Sequence, residues 1–191
     1  MKFFIFKILI VVMILSFTAS AYSQINYRQT GNIKVTIAGT STLHAWAMIS
    51  TQASCNAVFE TTPDGQPVKV QSVTFSLPAE SLKSGKNAMD NNAYNSLKTD
   101  KFKQISFSLA SARVTEKQVL CSGNLTIAGT TKIVEVAAPF ELRNGNPVFK
   151  VVKKIKMSEF NVEPPSFMFG SVKTGDEITI TIDVPLAPSK I

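Results

Sequence analysis

The chain has 191 residues, 45% hydrophobic and 17% charged, with a formal charge of +7. That is enough apolar material for one packed core. Its lysines are scattered apart from Lys150, Lys153, Lys154 and Lys156, whereas nucleic-acid binders concentrate basic charge and interleave aromatics with it, so no nucleic-acid partner is expected and the charge reads as a mildly basic solvated surface.

Lys2 and Lys7, the apolar run Ile8 to Phe17, and the small residues Ala21 and Ser23 have the layout of a secretory signal peptide cleaved before Gln24. The apolar run is shorter than the roughly 20 residues of a spanning helix, and no Cys near the cut offers a lipid attachment point. The expectation is a signal over 1–23 and a single mature domain over 24–191, periplasmic or secreted, with no stable membrane anchor. Losing Lys2 and Lys7 lowers its charge to +5 (7 minus 2).

Beyond residue 30 the dominant pattern is period-two alternation of apolar and polar residues, the mark of half-buried strands. Eight strands are predicted, over 32–38, 43–59, 67–77, 104–113, 117–128, 131–142, 147–157 and 176–185. The second is poor in bulk, with Ala45, Ala47, Ser50, Ala53 and Ala57. In the third, Val68 and Val70 are out of phase with Val73, Phe75 and Leu77, and a β-bulge near Ser72 reconciles the halves. Next, Met89, Ala93 and Leu97 fall at i, i+4 and i+8 and predict a short amphipathic helix over 89–98. Ile105, Phe107 and Leu109 mark one apolar face, Val119, Cys121, Gly123, Leu125 and Ile127 another. Val134, Val136, Ala138, Phe140 and Leu142 mark a third, and Ile178, Ile180, Ile182 and Val184 the last. Turn signals at Pro63-Asp64-Gly65, Ala128-Gly129-Thr130 and Asn144-Gly145-Asn146 keep most connections short, so neighbouring strands are antiparallel. Such strands close as a sandwich or as a barrel, and an eight-stranded barrel holds either its own side chains or one small ligand. The small residues on the inward faces point to unfilled volume, unfavourable unless something occupies it.

Catalytic patterns are missing from the sequence. There is no Gly-x-Ser-x-Gly, no phosphate-cradling Gly-rich loop ending in Lys-Ser or Lys-Thr, and no Cys-x-x-Cys. The only His, His44, lies two positions before the only Trp, Trp46, with no acidic cluster nearby in sequence, so neither a catalytic residue nor a metal site is expected. No cofactor is expected. Ile37-Ala38-Gly39-Thr40 recurs as Ile127-Ala128-Gly129-Thr130, and each copy is read as the end of a strand with Gly-Thr turning into the next.

The segments "GTSTLHAW", "SLKSGKNAMDNNAYNSLKTDKFKQISFSL", "GNLTIAGTTKIVEV" and "FNVEPPSFMFGSVKTGDEITITIDV" follow in an order that resembles YceI-like proteins, across about residues 32 to 185. The resemblance implies an all-β fold, an eight-stranded antiparallel lipocalin-like barrel with the short helix in the 78–103 connection. It implies a lumen that holds a polyisoprenoid, such as an isoprenoid quinone or a prenyl phosphate, and an exported, non-enzymatic binding protein. The family carries a polar residue after the His, where this chain has Ala45. Two further readings stand beside this one: a filled barrel presenting loops to a protein partner, and an enzyme acting on a bound lipid through His44. A homodimer is compatible with all three.

The ligand-binding residues expected from the inward alternation are Phe75, Phe107, Leu109, Leu125, Val134, Val136, Phe140, Phe149, Val151, Ile178, Ile180 and Ile182. His44 and Trp46 are expected at a barrel end, with Phe167 and Phe169 of the 158–175 connection at the rim. Lys153 interrupts the apolar row Phe149, Val151, Ile155, Met157. It is therefore paired, reaches a rim, meets an anionic head group, or is turned outward by a bulge. Cys55 and Cys121 belong to strands that are not neighbours, so they are expected as two free, buried thiols.

Overall fold

A computed structural model describes residues 23–167 and 170–189. The expected signal segment up to Tyr22, and Phe169, lie outside the described residues, as does the side chain of Phe167. Among the described residues there are ten strands: β1 (Ser23–Gln29), β2 (Ile33–Ser41), β3 (Ala45–Thr61), β4 (Pro67–Pro78), β5 (Gln104–Val114), β6 (Gln118–Ile127), β7 (Thr130–Arg143), β8 (Asn146–Lys156), β9 (Ser166–Phe167) and β10 (Val172–Pro188). One α-helix, α1 (Asn87–Leu97), lies between β4 and β5, close to its expected place.

Strands β2 to β8 pair with their chain neighbours, and β10 pairs with both β2 and β8, all antiparallel. The result is a closed eight-stranded antiparallel barrel. Closure leaves one apolar face per strand inside and pairs the strand edges, though only in part between β7 and β8. β1, absent from the sequence expectation, lies against both β3 and β10.

Of the five register shifts among the described strands, three reorganise the alternation along the lumen. Opposite β2 the partner of Val35 is Ser50 but the partner of Ile33 is Ala53. The extra residue switches the inward set of β3 from Trp46, Met48 and Ser50 to Ala53, Cys55, Ala57 and Phe59. In β4, Val58 faces Ser72 and Phe59 faces Val70, so Gln71 is the extra residue and the bulge expected near Ser72 is present. In β5 a shift after Leu109 turns Ala112 and Val114 inward. A bulge adds one residue on one strand and so exchanges the faces beyond it.

One end of the barrel is closed. The hairpin turns at 62–66, 115–117 and 144–145 gather there, and Gln66 Nε2 donates to the Glu116 carbonyl at 3.5 Å. Beneath them the Phe59 ring meets Tyr27 edge-on, with centroids 5.1 Å apart, and stacks on Phe149 at 5.8 Å. Phe140 leans on Phe149 at 5.5 Å.

The opposite end carries the 42–44 turn, α1 and the segment after β8. The connection before α1 is sewn to β3 by two backbone hydrogen bonds between Ile49 and Lys83, at 2.8 and 2.9 Å. Tyr94 Oη donates to the carbonyl of Glu80 or Leu82, both 2.9 Å away. The Asp90 carboxylate accepts from Ser84 N–H at 2.7 Å and Ser84 Oγ–H at 2.6 Å, and these bonds hold it below the usual carboxylate range.

The two Ile-Ala-Gly-Thr copies differ, contrary to the expectation of two turns. Ala128 and Gly129 both have positive φ, 47° and 78°, as a two-residue type I′ hairpin requires. The first copy lies inside β2, where Gly39 pairs with Trp46. A β-carbon on Gly39 would stand 2.5 Å from the Trp46 ring. Glycine there makes room for an aromatic neighbour, and no turn is involved.

The β7–β8 ladder is short. It runs only from Arg143↔Asn146 to Phe140↔Phe149, although both strands continue. Phe140 N–H donates to the Lys117 carbonyl at 3.1 Å, on the β6 side. Backbone groups alternate along a strand, so the next residue, Pro139, faces β8, and proline has no N–H to offer. The ladder stops at that residue.

Candidate functional site

The barrel encloses a cavity of about 530 Å³, within the range of roughly 300–1,000 Å³ typical of small-molecule sites. Among the residues expected to line it, Phe75, Phe107, Leu125, Val134, Val136, Phe149, Val151, Lys153, Ile178, Ile180 and Ile182 do so, together with His44 and Trp46. Leu109 and Phe140 do not reach it and pack against the core.

Volume is left because small residues stand among the large ones of the lining. Cys55, Ala57, Cys121 and Ala138 line it where an alternation of Leu and Phe would fill it. Gly123 contributes no space, since the Phe107 ring lies against its α-carbon. The floor is the aromatic group of the closed end, through Phe59 and Phe149.

At the mouth, α1 presents Met89, Asn92, Ala93, Ser96 and Leu97 to the cavity. This is one face at i, i+3, i+4, i+7 and i+8. The helix is legible in the sequence, but its use as a lid over the lumen is not, because periodicity reveals an apolar face without naming what it covers. Leu43, 69% exposed, shares the rim with His44, Lys86, Pro165 and Val172.

His44 sits just before β3, exposed, in a turn organised by Ser41. The Ser41 hydroxyl donates to the His44 carbonyl at 2.9 Å and lies 3.2 Å from the His44 N–H. His44 Nδ1–H donates to the Ala45 carbonyl at 2.8 Å. A carbonyl only accepts, so this nitrogen carries the proton. Trp46 Nε1–H donates to the Thr40 carbonyl at 3.0 Å, which fixes the ring over Gly39 at the cavity wall. Among the described residues no group of three or more His, Cys, Asp or Glu is placed to hold a metal ion.

Lys153 keeps its place in the inward row. β8 runs without a register shift against β10 from Glu177↔Lys156 to Pro185↔Val148, so no bulge turns it out.

Cys55 and Cys121 are both free, Cys55 buried and Cys121, against expectation, only half-buried. Burial pushes the Cys55 thiol up to about 12 and raises Cys121 as well, so both are protonated, poorly nucleophilic groups that behave as small apolar residues. Alkylation without reductant is therefore expected to leave Cys55 unlabelled in the folded protein and to add two labels after denaturation. A denatured mass without labels would reveal a disulfide.

No helix among the described residues is long and apolar enough to cross a membrane. No curated protein sequence matches the chain. Its fold is similar to that of Burkholderia cenocepacia BcnA, with a TM-score of 0.68 and 19% identity over 81% of this chain and 96% of that one. A polyisoprenoid binding domain from Saccharophagus degradans, implicated in plant cell wall breakdown, matches with a TM-score of 0.65 and 10% identity, covering 86% and 99%. The Campylobacter jejuni YCEI protein matches with a TM-score of 0.55 and 20% identity, covering 72% and 82%. At these identities the likeness concerns the fold. The family model for the YceI-like domain matches residues 20–186, and the chain belongs to that family.

Proposed function

We propose that this protein is an exported, non-enzymatic carrier or sequestering protein for a polyisoprenoid lipid, built as one domain over 24–191 behind a cleaved signal. The observation that carries the reading is a cavity of about 530 Å³, walled by apolar side chains, floored by aromatics and opening beside α1. An apolar tail gains roughly 0.8 kcal/mol for each CH₂ removed from water, so a prenyl chain needs few polar contacts to bind. The similarity to a polyisoprenoid binding domain supports the same class of ligand. Against an enzyme stand the exposed His44, bonded to its neighbour's carbonyl, and the poorly nucleophilic thiols.

Protein purified gently from its native host is expected to release a prenyl lipid on organic extraction, and native mass spectrometry to show one lipid per chain. No extracted lipid, and no uptake when one is supplied, would remove the carrier reading.

A further inference from the structure

We propose that Lys153 holds the head group of the bound lipid beside the unlaced stretch of wall between β7 and β8, so that the preferred ligand is an anionic amphiphile, a phosphate or carboxylate on an apolar tail. The proposal rests on the carrier reading above and narrows its ligand.

Lys153 lies between Val151 and Ile155 on the inner row of β8, beside Ile180 of β10, and all four line the cavity. Across Ile180 the same level continues through Ile37 to Met48. An ammonium in such a row is costly without a counter-charge. Among the described residues Lys153 is half-buried and makes no ion pair. The lining as a whole contains two lysines, Lys86 and Lys153, and one histidine, but no aspartate or glutamate. A low-dielectric cavity edged by one sign of charge selects the opposite sign.

The neighbouring wall is only partly laced. Beyond Phe140↔Phe149 no rungs join β7 to β8. Val134 and Val136 on one side, and Val151 and Lys153 on the other, are the lumen residues that border this stretch. A head group at this level touches the ammonium, and its tail runs toward Phe59.

The test uses the lipid-free full-length mature protein and two ligands with one tail, farnesyl phosphate and farnesol. The phosphate is expected to bind about tenfold more tightly or better, the scale of a charge-assisted contact. In Lys153→Met the preference for phosphate over alcohol should fall toward unity, and Lys153→Arg should keep most of it. Farnesoic acid reports whether a carboxylate serves as well. Inorganic phosphate should not displace farnesyl phosphate; displacement would indicate a free-anion site and overturn the assignment.

Equal wild-type affinities, or a Lys153→Met effect shared by both ligands, would also overturn it while leaving the carrier reading intact. If neither ligand binds, the carrier reading falls and the head-group site with it. Should Lys153→Met not fold, salt decides. Added salt should weaken the phosphate and not the alcohol, and a preference insensitive to salt counts against the site.

Discussion

Replacing Phe59 by Ala is expected to lower the free energy of unfolding by about 3–5 kcal/mol, the usual cost of deleting a buried aromatic ring. Phe59 is 2% exposed. Its ring joins Tyr27 of β1 to Phe149 of β8, so its loss removes contacts from three separated parts of the chain and leaves a void that rigid strands cannot collapse around. Total stability for a domain is only about 5–15 kcal/mol, so the midpoint of urea unfolding should drop severely. Leu43→Ala, at a rim position 69% exposed, is the control and should change stability by no more than about 0.5 kcal/mol. A Phe59→Ala loss below about 1 kcal/mol would mean that the closed end does not depend on this aromatic group.

Cys55→Phe is expected to abolish lipid uptake while sparing the fold. Cys55 is 5% exposed, faces the lumen opposite Phe75 and is followed on the same face by Ala57. An added ring projects into existing space, so overpacking, which destabilises filled cores by about 1–3 kcal/mol, does not arise to that extent. The ring occupies the path of the tail, and the free energy of tail burial is lost with it. Native mass spectrometry should show the variant empty after purification from a host where the wild type is loaded, with a Tm close to that of the lipid-free wild type. A loaded variant would place the lipid elsewhere than the lumen.

The clean alternation of β10 makes its face legible from sequence. Ile178, Ile180, Ile182 and Val184 all line the cavity and no bulge interrupts them. β3 shows the opposite case. Its bulge exchanges faces midway, so Trp46 and Met48 and then Cys55 and Ala57 are all inward, and a fixed period of two blurs them. The shift in β4 could be read because bulky valines on both sides of Ser72 fall out of phase. The one in β5 could not, because the alanines around it carry almost no hydrophobic signal. β1 offers only Ile25 and Tyr27 among Gln24, Asn26, Arg28 and Gln29, too short a pattern to register. The cavity itself follows from which side chains meet across the barrel. Gly123 is indistinguishable in sequence from Ala57 as a small inward residue, yet it is covered by Phe107.

The unlaced stretch between β7 and β8 has a consequence for how this protein meets copies of itself. A strand edge with unpaired backbone groups is a template for a strand from another molecule, and proteins blunt such edges with proline and outward lysines. Pro139 ends the ladder on one side. On the other, the outward residues of β8 include Lys150, Lys154 and Lys156, all exposed, around Val152 at 53% exposure. A second copy adding at this edge would bring its own lysines toward these three, and that repulsion disfavours the pairing. The single cluster of lysines in an otherwise scattered distribution thereby guards the place where the wall is open to strand exchange.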